Sequence, residues 1–534
     1  MTEFDVIVVG SGSAGAPLAA RLSEDPGRRV LLLEAGGDLR TADAPQAMQA
    51  PNMTALIMHE NFAHFQWPNL VARRTSAQKP RKYWRGRVLG GSSAINGQVA
   101  IRGHREDFDG WAAAGCRGWG WADVLPSFIR LENDLDHSHR AYHGARGPTP
   151  VRRERIANWG VIDRTLLLAG LDLGYPYHDD HNAPDATGIS RYAINNTPDG
   201  VRVSTADGYL EPIRDRANLT IVCDALVEHV LLEDRNTGLA ATGVSVRLPT
   251  GRQEFRAREI VLAAGGAHSP AMLMRSGIGP AVSLKALGIA PRLDLPVGRN
   301  LQDHPAAPFR LKLKPEARAH SLYERHTNCV IRYTSGMVGG GTNDMKLIAL
   351  NQFGDSLGRR PDLDLTQNQN EVGVMGVVQH RCFSRGSLTL TSPDPEVDPE
   401  IDLNMLSDER DMVRMVEGLT RLIKLVRHPE TQRIADEVMV GFSGLKPEDL
   451  LDEETARRWL LAEVNDGQHI TSTCMMGASD DPQAVVGPDA RVRGVQGLRV
   501  ADASIMPWVV RANTHLSCVM IGEHVAAIMR REGV

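Results

Sequence analysis

Aromatic side chains are scarce in this sequence, at 5% of its residues. No stretch of about 18 uninterrupted apolar residues occurs, so a membrane-spanning helix is not expected. The opening Met1-Thr2-Glu3-Phe4-Asp5 lacks the basic and apolar regions of a signal peptide. Cysteine is sparse as well. The six residues, Cys116, Cys223, Cys329, Cys382, Cys474 and Cys518, are widely scattered and form no C-x-x-C pair. That spacing argues against a disulfide framework and a zinc site, and six mostly buried thiols in a reducing, cytoplasmic setting is the simplest reading. Positive charge is not in excess either: 60 Lys and Arg against 65 Asp and Glu leave a formal net charge of -5. A nucleic-acid partner would call for a basic footprint, which is missing.

At 534 residues the chain exceeds what one hydrophobic core serves, and two intimately joined domains are expected. It is organised around its beginning. Phe4-Asp5-Val6-Ile7-Val8-Val9, apolar and β-branched, enters Gly10-Ser11-Gly12-Ser13-Ala14-Gly15 and leaves as a helix through Leu22. Strand, G-x-G-x-x-G turn and helix in that order form the dinucleotide fingerprint. Gly10 allows the tight turn, Gly12 lets backbone approach a pyrophosphate, and Gly15 lets the helix pack on the strand. Ser13 and Ala14 then lie at the helix N-terminus that faces the phosphates. A second strand, Arg29-Val30-Leu31-Leu32-Leu33, ends in Glu34, at about the 20-residue distance of the acid that binds a ribose hydroxyl pair. That carboxylate repels a 2′-phosphate and argues against NADP. Glu34-Ala35-Gly36-Gly37 looks like the end of a flavoprotein's second strand, which makes FAD the expected cofactor, with Ala35 beside it.

A second glycine-rich run, Arg85-Gly86-Arg87-Val88-Leu89-Gly90-Gly91-Ser92-Ser93-Ala94-Ile95-Asn96-Gly97, lets main chain press on a flat ligand or diphosphate. Taken alone it could equally be an ordinary glycine loop. With its continuation, Gln98-Val99-Ala100-Ile101-Arg102-Gly103-His104 and on to Trp111, it resembles the signature of the glucose-methanol-choline (GMC) flavoprotein oxidoreductases. The likeness extends over essentially the whole chain, through Arg258–Pro270, Met272–Pro280 and Pro296–Pro305. The resemblance implies a Rossmann-like α/β FAD-binding domain from 1–155, 200–305 and 465–534. An α+β substrate domain with an antiparallel sheet would take 156–199 and 306–464. It implies that Val88, Gly91, Ser92, Asn96, Gly97 and Val99 cover the flavin and pyrophosphate. Val227 and Ala264 would contact the nucleotide, and Asp502 and Ala503 would close the site. Ile95 occupies the place where some members carry a histidine bonded to the flavin, so the FAD is expected to be non-covalent.

From about residue 306 the texture shifts to short alternating runs such as Gly386-Ser387-Leu388-Thr389-Leu390-Thr391, suited to an antiparallel sheet. Ser407 to Val426 reads as a helix with Met412, Met415, Val416 and Leu419 on one face. Two histidine loops, His137-Ser138-His139 with His143 and His178-Asp179-Asp180-His181, read as polar loops rather than a metal site. Asp303 and His304 look catalytic in isolation, but their segment reads mainly as a structural return from the FAD domain.

The chemistry is expected near the end. Gln468-His469-Ile470-Thr471-Ser472-Thr473-Cys474-Met475-Met476-Gly477 and Asn513-Thr514-His515 resemble the family's catalytic runs, which implies His469 as base and Asn513 as its partner. His515 is the nearest rival. The function implied is oxidation of a primary alcohol, aryl, furanic or aliphatic, to the aldehyde, with hydride passing to flavin N5. Oxygen or a quinone- or dye-type acceptor would reoxidise the flavin. Choline as substrate, a redox-neutral or light-driven activity (hydroxynitrile lyase, fatty-acid photodecarboxylase) and non-catalytic flavin binding are the alternatives.

Overall fold

The first strand sets the layout. In the structure, a computed structural model describing residues 4–352, 370–441 and 443–533, Phe4–Val9 runs parallel to Val30–Leu33 on one side and to the second half of Gly251–Leu262 on the other. Val6, Ile7 and Val8 are fully buried, as a parallel strand covered on both faces should be. Leu219–Val222 and Leu498–Val500 extend the sheet, both in parallel pairing. The first half of Gly251–Leu262 leaves this layer as an antiparallel ribbon with Gly238–Leu248 and Leu226–Arg235. Residues 1–3 of the leader reading lie outside the described residues, among which no helix is long and apolar enough to cross a membrane.

A second, seven-stranded sheet is antiparallel throughout. Its order is Ala435–Val440, Pro305–Leu313, Val372–Gln379, Met345–Leu350, Cys329–Tyr333 and Gly188–Arg191, with Asn465–Asp466 beside Pro305 and Ala306. One face is covered by the helix Glu409–Arg427, which buries Met412, Met415 and Leu419 and half-buries Val416. That helix begins two residues later than its apolar spacing suggests, because Asp408 caps it by accepting from Arg410 N at 3.0 Å.

The alternating run at 386–391 is not in that sheet. Ser387–Thr389 pairs antiparallel with Glu400–Asp402 in a separate four-stranded sheet completed by Val71–Arg73 and Arg81–Lys82. Alternation marks a strand but does not select its partner. All six cysteines are free thiols, five of them buried and Cys223 partly exposed.

Candidate active site

A cavity lies between the glycine turn and the uncovered face of the seven-stranded sheet. At the dinucleotide end it is lined by Gly10, Gly12, Ser13, Ala14, Glu34, Ala35, Val227 and Ala264, and further along by Gly91, Ser92, Asn96, Gly97, Val99, Asp502 and Ala503. Two expected cofactor residues stand outside the lining. Gly15 packs helix on strand, where a Cβ would sit 1.8 Å from Gly10 O. Val88 is buried in a small apolar cluster and bridges to Gly37, so it shapes the loop from behind.

The turn has the geometry a nucleotide cradle needs. Gly10 has φ +97°, and a Cβ there would meet Ala263 O at 2.6 Å. Gly12 differs, because the nearest atom to a Cβ built on it is Gly91 Cα at 4.0 Å, and this backbone faces open cavity. Glu34 is buried and braces the turn: Oε2 accepts from Ser11 N at 3.0 Å and Ser11 Oγ at 2.6 Å, and Oε1 accepts from Gly36 N at 2.9 Å. Burial pushes its pKa up, opposed by these donors. A carboxylate offers about four lone-pair sites, which leaves capacity for a ribose hydroxyl. These residues fit a bound dinucleotide.

Glu34→Gln removes charge-assisted hydrogen bonds worth about 1.5–3 kcal/mol each. FAD affinity should therefore fall by about 10- to 100-fold, while the rate of flavin reduction at full occupancy changes little. Titration of the apoprotein with FAD, followed by stopped-flow reduction, checks both halves. Ile95 also lines the cavity and offers no nucleophile. Acid precipitation should therefore leave the yellow colour in the supernatant; colour held in the pellet would show a covalent link through another residue.

At the other end the structure brings His469 and Asn513 together, with Asn513 Nδ2 3.2 Å from His469 Nε2. His515 is not part of this pair: its Nδ1 lies 2.9 Å from Ser13 Oγ, at the nucleotide end, and burial lowers its pKa to about 4. Asp502 is a brace, accepting from Gly265 N, Ser269 Oγ and Ser504 N at 2.8, 2.5 and 2.8 Å.

Three further residues converge on His469 and Asn513. His304, in the run expected to be a structural return, places Nδ1 2.8 Å from His469 Nδ1. Asp303 accepts from His469 N at 2.9 Å, Gly467 N at 3.2 Å and the Tyr83 hydroxyl at 2.6 Å, so it holds the backbone that presents His469. Burial and the neighbouring Asp466 push the Asp303 pKa up. Lys346, buried in the sheet wall, donates to Asn513 Oδ1 at 3.4 Å. The family hallmark Pro296–Pro305 was a signal for the first two; nothing local marked Lys346.

The two histidine loops also meet. His143 lies 2.7 Å from Glu132 Oε2 and 2.9 Å from Asp180 Oδ2, while Arg102 pairs with Glu132 at 2.6 Å and Arg153 with Asp180 at 3.0 Å. Both arginines engage the carboxylates, so the cluster is a buried ion network.

A nucleotide-binding sheet and a buried imidazole–amide pair that open on one cavity are the parts of a flavin-dependent oxidoreductase. The chain belongs to the GMC oxidoreductase family, whose two models match residues 4–306 and 382–522. It is 36% identical to the 5-(hydroxymethyl)furfural oxidase of Methylovorus sp. (strain MP688), over 98% of both chains. It is 34% identical to an oxygen-dependent choline dehydrogenase of Rhizobium etli, over 98% of this chain and 95% of that one. Pyridoxine 4-oxidase from Mesorbium loti has the same fold, with a TM-score of 0.87 at 28% identity and 99% coverage of each chain. The protein is an FAD-dependent oxidoreductase acting on CH–OH donors.

Proposed function

We propose that the protein oxidises a primary alcohol to its aldehyde, with His469 Nε2 taking the hydroxyl proton and Asn513 Nδ2 holding the hydroxyl oxygen. The observation that carries this reading is the 3.2 Å approach of Nε2 and Nδ2 at the cavity surface. When bound, FAD supplies the acceptor for the α-hydride.

The hydrogen bonds favour one tautomer. Lys346 donates to Asn513 Oδ1, which turns Nδ2 toward His469. His469 Nε2 must then accept, so the ring proton sits on Nδ1 and is donated to His304 Nδ1. A substrate hydroxyl that enters between the two side chains replaces this contact, donating its proton to Nε2 and accepting from Asn513 Nδ2. Burial, with the charge of Lys346, holds the His469 pKa well below its ordinary value. The imidazole is therefore neutral at pH 7 and competent as a base. Removing the Asn513 side chain loses a neutral hydrogen bond and leaves Lys346 without its acceptor. Asn513→Ala should slow flavin reduction by about 10- to 100-fold, matching a loss of about 1–3 kcal/mol.

Oxygen or a quinone-like compound then reoxidises the flavin. Among the alternatives, choline fits poorly, since the wall beside Asn513 presents an ammonium to a cationic substrate. Anaerobic mixing of the holoenzyme with a panel of primary alcohols tests the reading: the flavin should bleach with one aldehyde formed per flavin. Flavin that stays oxidised with every alcohol would overturn it.

A further inference from the structure

Lys346 lines the cavity beside the apolar Ile348, Leu350 and Val378. It lies on Met345–Leu350, where alternate residues Lys346, Ile348 and Leu350 face the cavity. Directly opposite on one neighbouring strand is Val378, and on the other is Arg332. Two cations facing each other across an antiparallel pair repel. Both are nearly inaccessible, at 3% exposure for Arg332 and 4% for Lys346. Arg332 has partners, since its Nη2 donates to the carbonyls of His181 and Ala186 at 2.9 and 2.6 Å.

Lys346 has less, a cation–π contact of its Nζ with the Tyr192 ring at 5.9 Å from the centroid and one long hydrogen bond. Among the described residues its only hydrogen bond is the 3.4 Å contact to Asn513, although an ammonium carries three donors. No carboxylate of the described residues lies within ion-pair distance of it. The nearest in sequence, Asp344, is taken by Arg414 at 3.0 Å and by the Ser335 amide and hydroxyl at 2.7 and 2.6 Å. The other titratable groups around it are His181, His304, His380 and His469, all shifted downward in pKa in part by its charge. Both ring nitrogens of His181 and of His380 are without protein partners. Burial and Arg332 draw the Lys346 pKa down to about 7, the response of a cation held without an anion. A buried charge left unpaired is strongly unfavourable, and in a ligand cavity the ligand is the group that can pair it.

We propose that Lys346 binds a carboxylate carried by the alcohol itself, so that the preferred substrates are short hydroxycarboxylates. This rests on the alcohol-oxidation reading of His469 and Asn513. One amide group spans the two sites, with Asn513 Oδ1 on Lys346 and Asn513 Nδ2 on His469. A carboxylate on the lysine therefore lies only a few bonds from a hydroxyl on the base, which selects short acids over long-chain ones.

The test compares kcat/KM for near-isosteric pairs, glycolate with glycolamide and 3-hydroxypropanoate with 3-hydroxypropanamide, in the wild-type holoenzyme and in Lys346→Met. Lys346→Gln replaces the methionine variant if that one yields no holoenzyme. The acid-to-amide ratio within one protein cancels any uniform effect on Asn513. Wild type should favour the acid of at least one pair by about 10-fold or more, and the variant should lose that preference, since an uncompensated carboxylate in a buried site is rejected. Calorimetric titration with acetate should show binding to wild type that weakens by about 10-fold in the variant. If neutral alcohols bleach the flavin but the acid-to-amide ratio is the same in both proteins, the proposal is wrong. Acetate binding without an acid preference would mean a site for free anions and would also overturn it. If no alcohol, charged or neutral, reduces the flavin, it is the alcohol-oxidation reading that fails.

Discussion

His469→Ala keeps its FAD and reduces it about 10² to 10⁴ times more slowly with an alcohol, the range of a lost general base. Cofactor retention follows from distance along the cavity. The residues that brace the glycine turn are Ser11, Glu34 and Gly36, and the histidine near that turn is His515 on Ser13. The loss in rate follows from the base having no substitute in place. His304 faces Nδ1 rather than the cavity end of the ring, and Lys346 reaches Asn513 rather than the hydroxyl position beside Nε2. The limiting rate of flavin bleaching reads the effect. Gly467 has to stay small for the same geometry, since a Cβ there would lie 2.6 Å from His469 Nδ1.

Gly12→Val yields a folded protein that holds FAD poorly. The protein itself leaves room, with no atom nearer than 4.0 Å to a Cβ at this position, so the added carbon atoms enter the cavity and not the core. Overfilling a packed contact costs about 1–3 kcal/mol, or about 10- to 100-fold in FAD affinity. The same change at Gly10 or Gly15 meets backbone at 2.6 and 1.8 Å and should damage the fold instead. Circular dichroism and flavin content of the three variants separate the outcomes. A Gly12→Val protein with a full complement of FAD would contradict the placement of the nucleotide.

The parts of this account legible in the sequence are those carried by local pattern. The glycine turn, the Glu34 strand end and the buried run at Ile260–Leu262 are contiguous, and each is where its spacing puts it. His469 and Asn513 were legible through family resemblance, each within its own short run. What escaped depends on sheet register and long-range convergence. Lys346 looks like one polar residue in Met345-Lys346-Leu347-Ile348-Ala349-Leu350; only its pairing opposite Arg332 and Val378 turns it toward Asn513. His304 is 165 residues from His469, and no periodicity links them. Gly386–Thr391 was legible as strand but not as a member of the small sheet, because partner choice lies in residues 71–73 and 400–402. That the two histidine loops meet was not legible either, because Arg102 and Arg153 reach their carboxylates from distant strands and loops.

The most direct measurement of the central claim is anaerobic stopped-flow reduction of FAD-loaded His469→Ala and His515→Ala by one primary alcohol, beside wild type. His469→Ala should be slowed by about 10² or more, with His515→Ala close to wild type once saturated with FAD. Abolished reduction in His515→Ala, with His469→Ala near wild type, would contradict the assignment of the base.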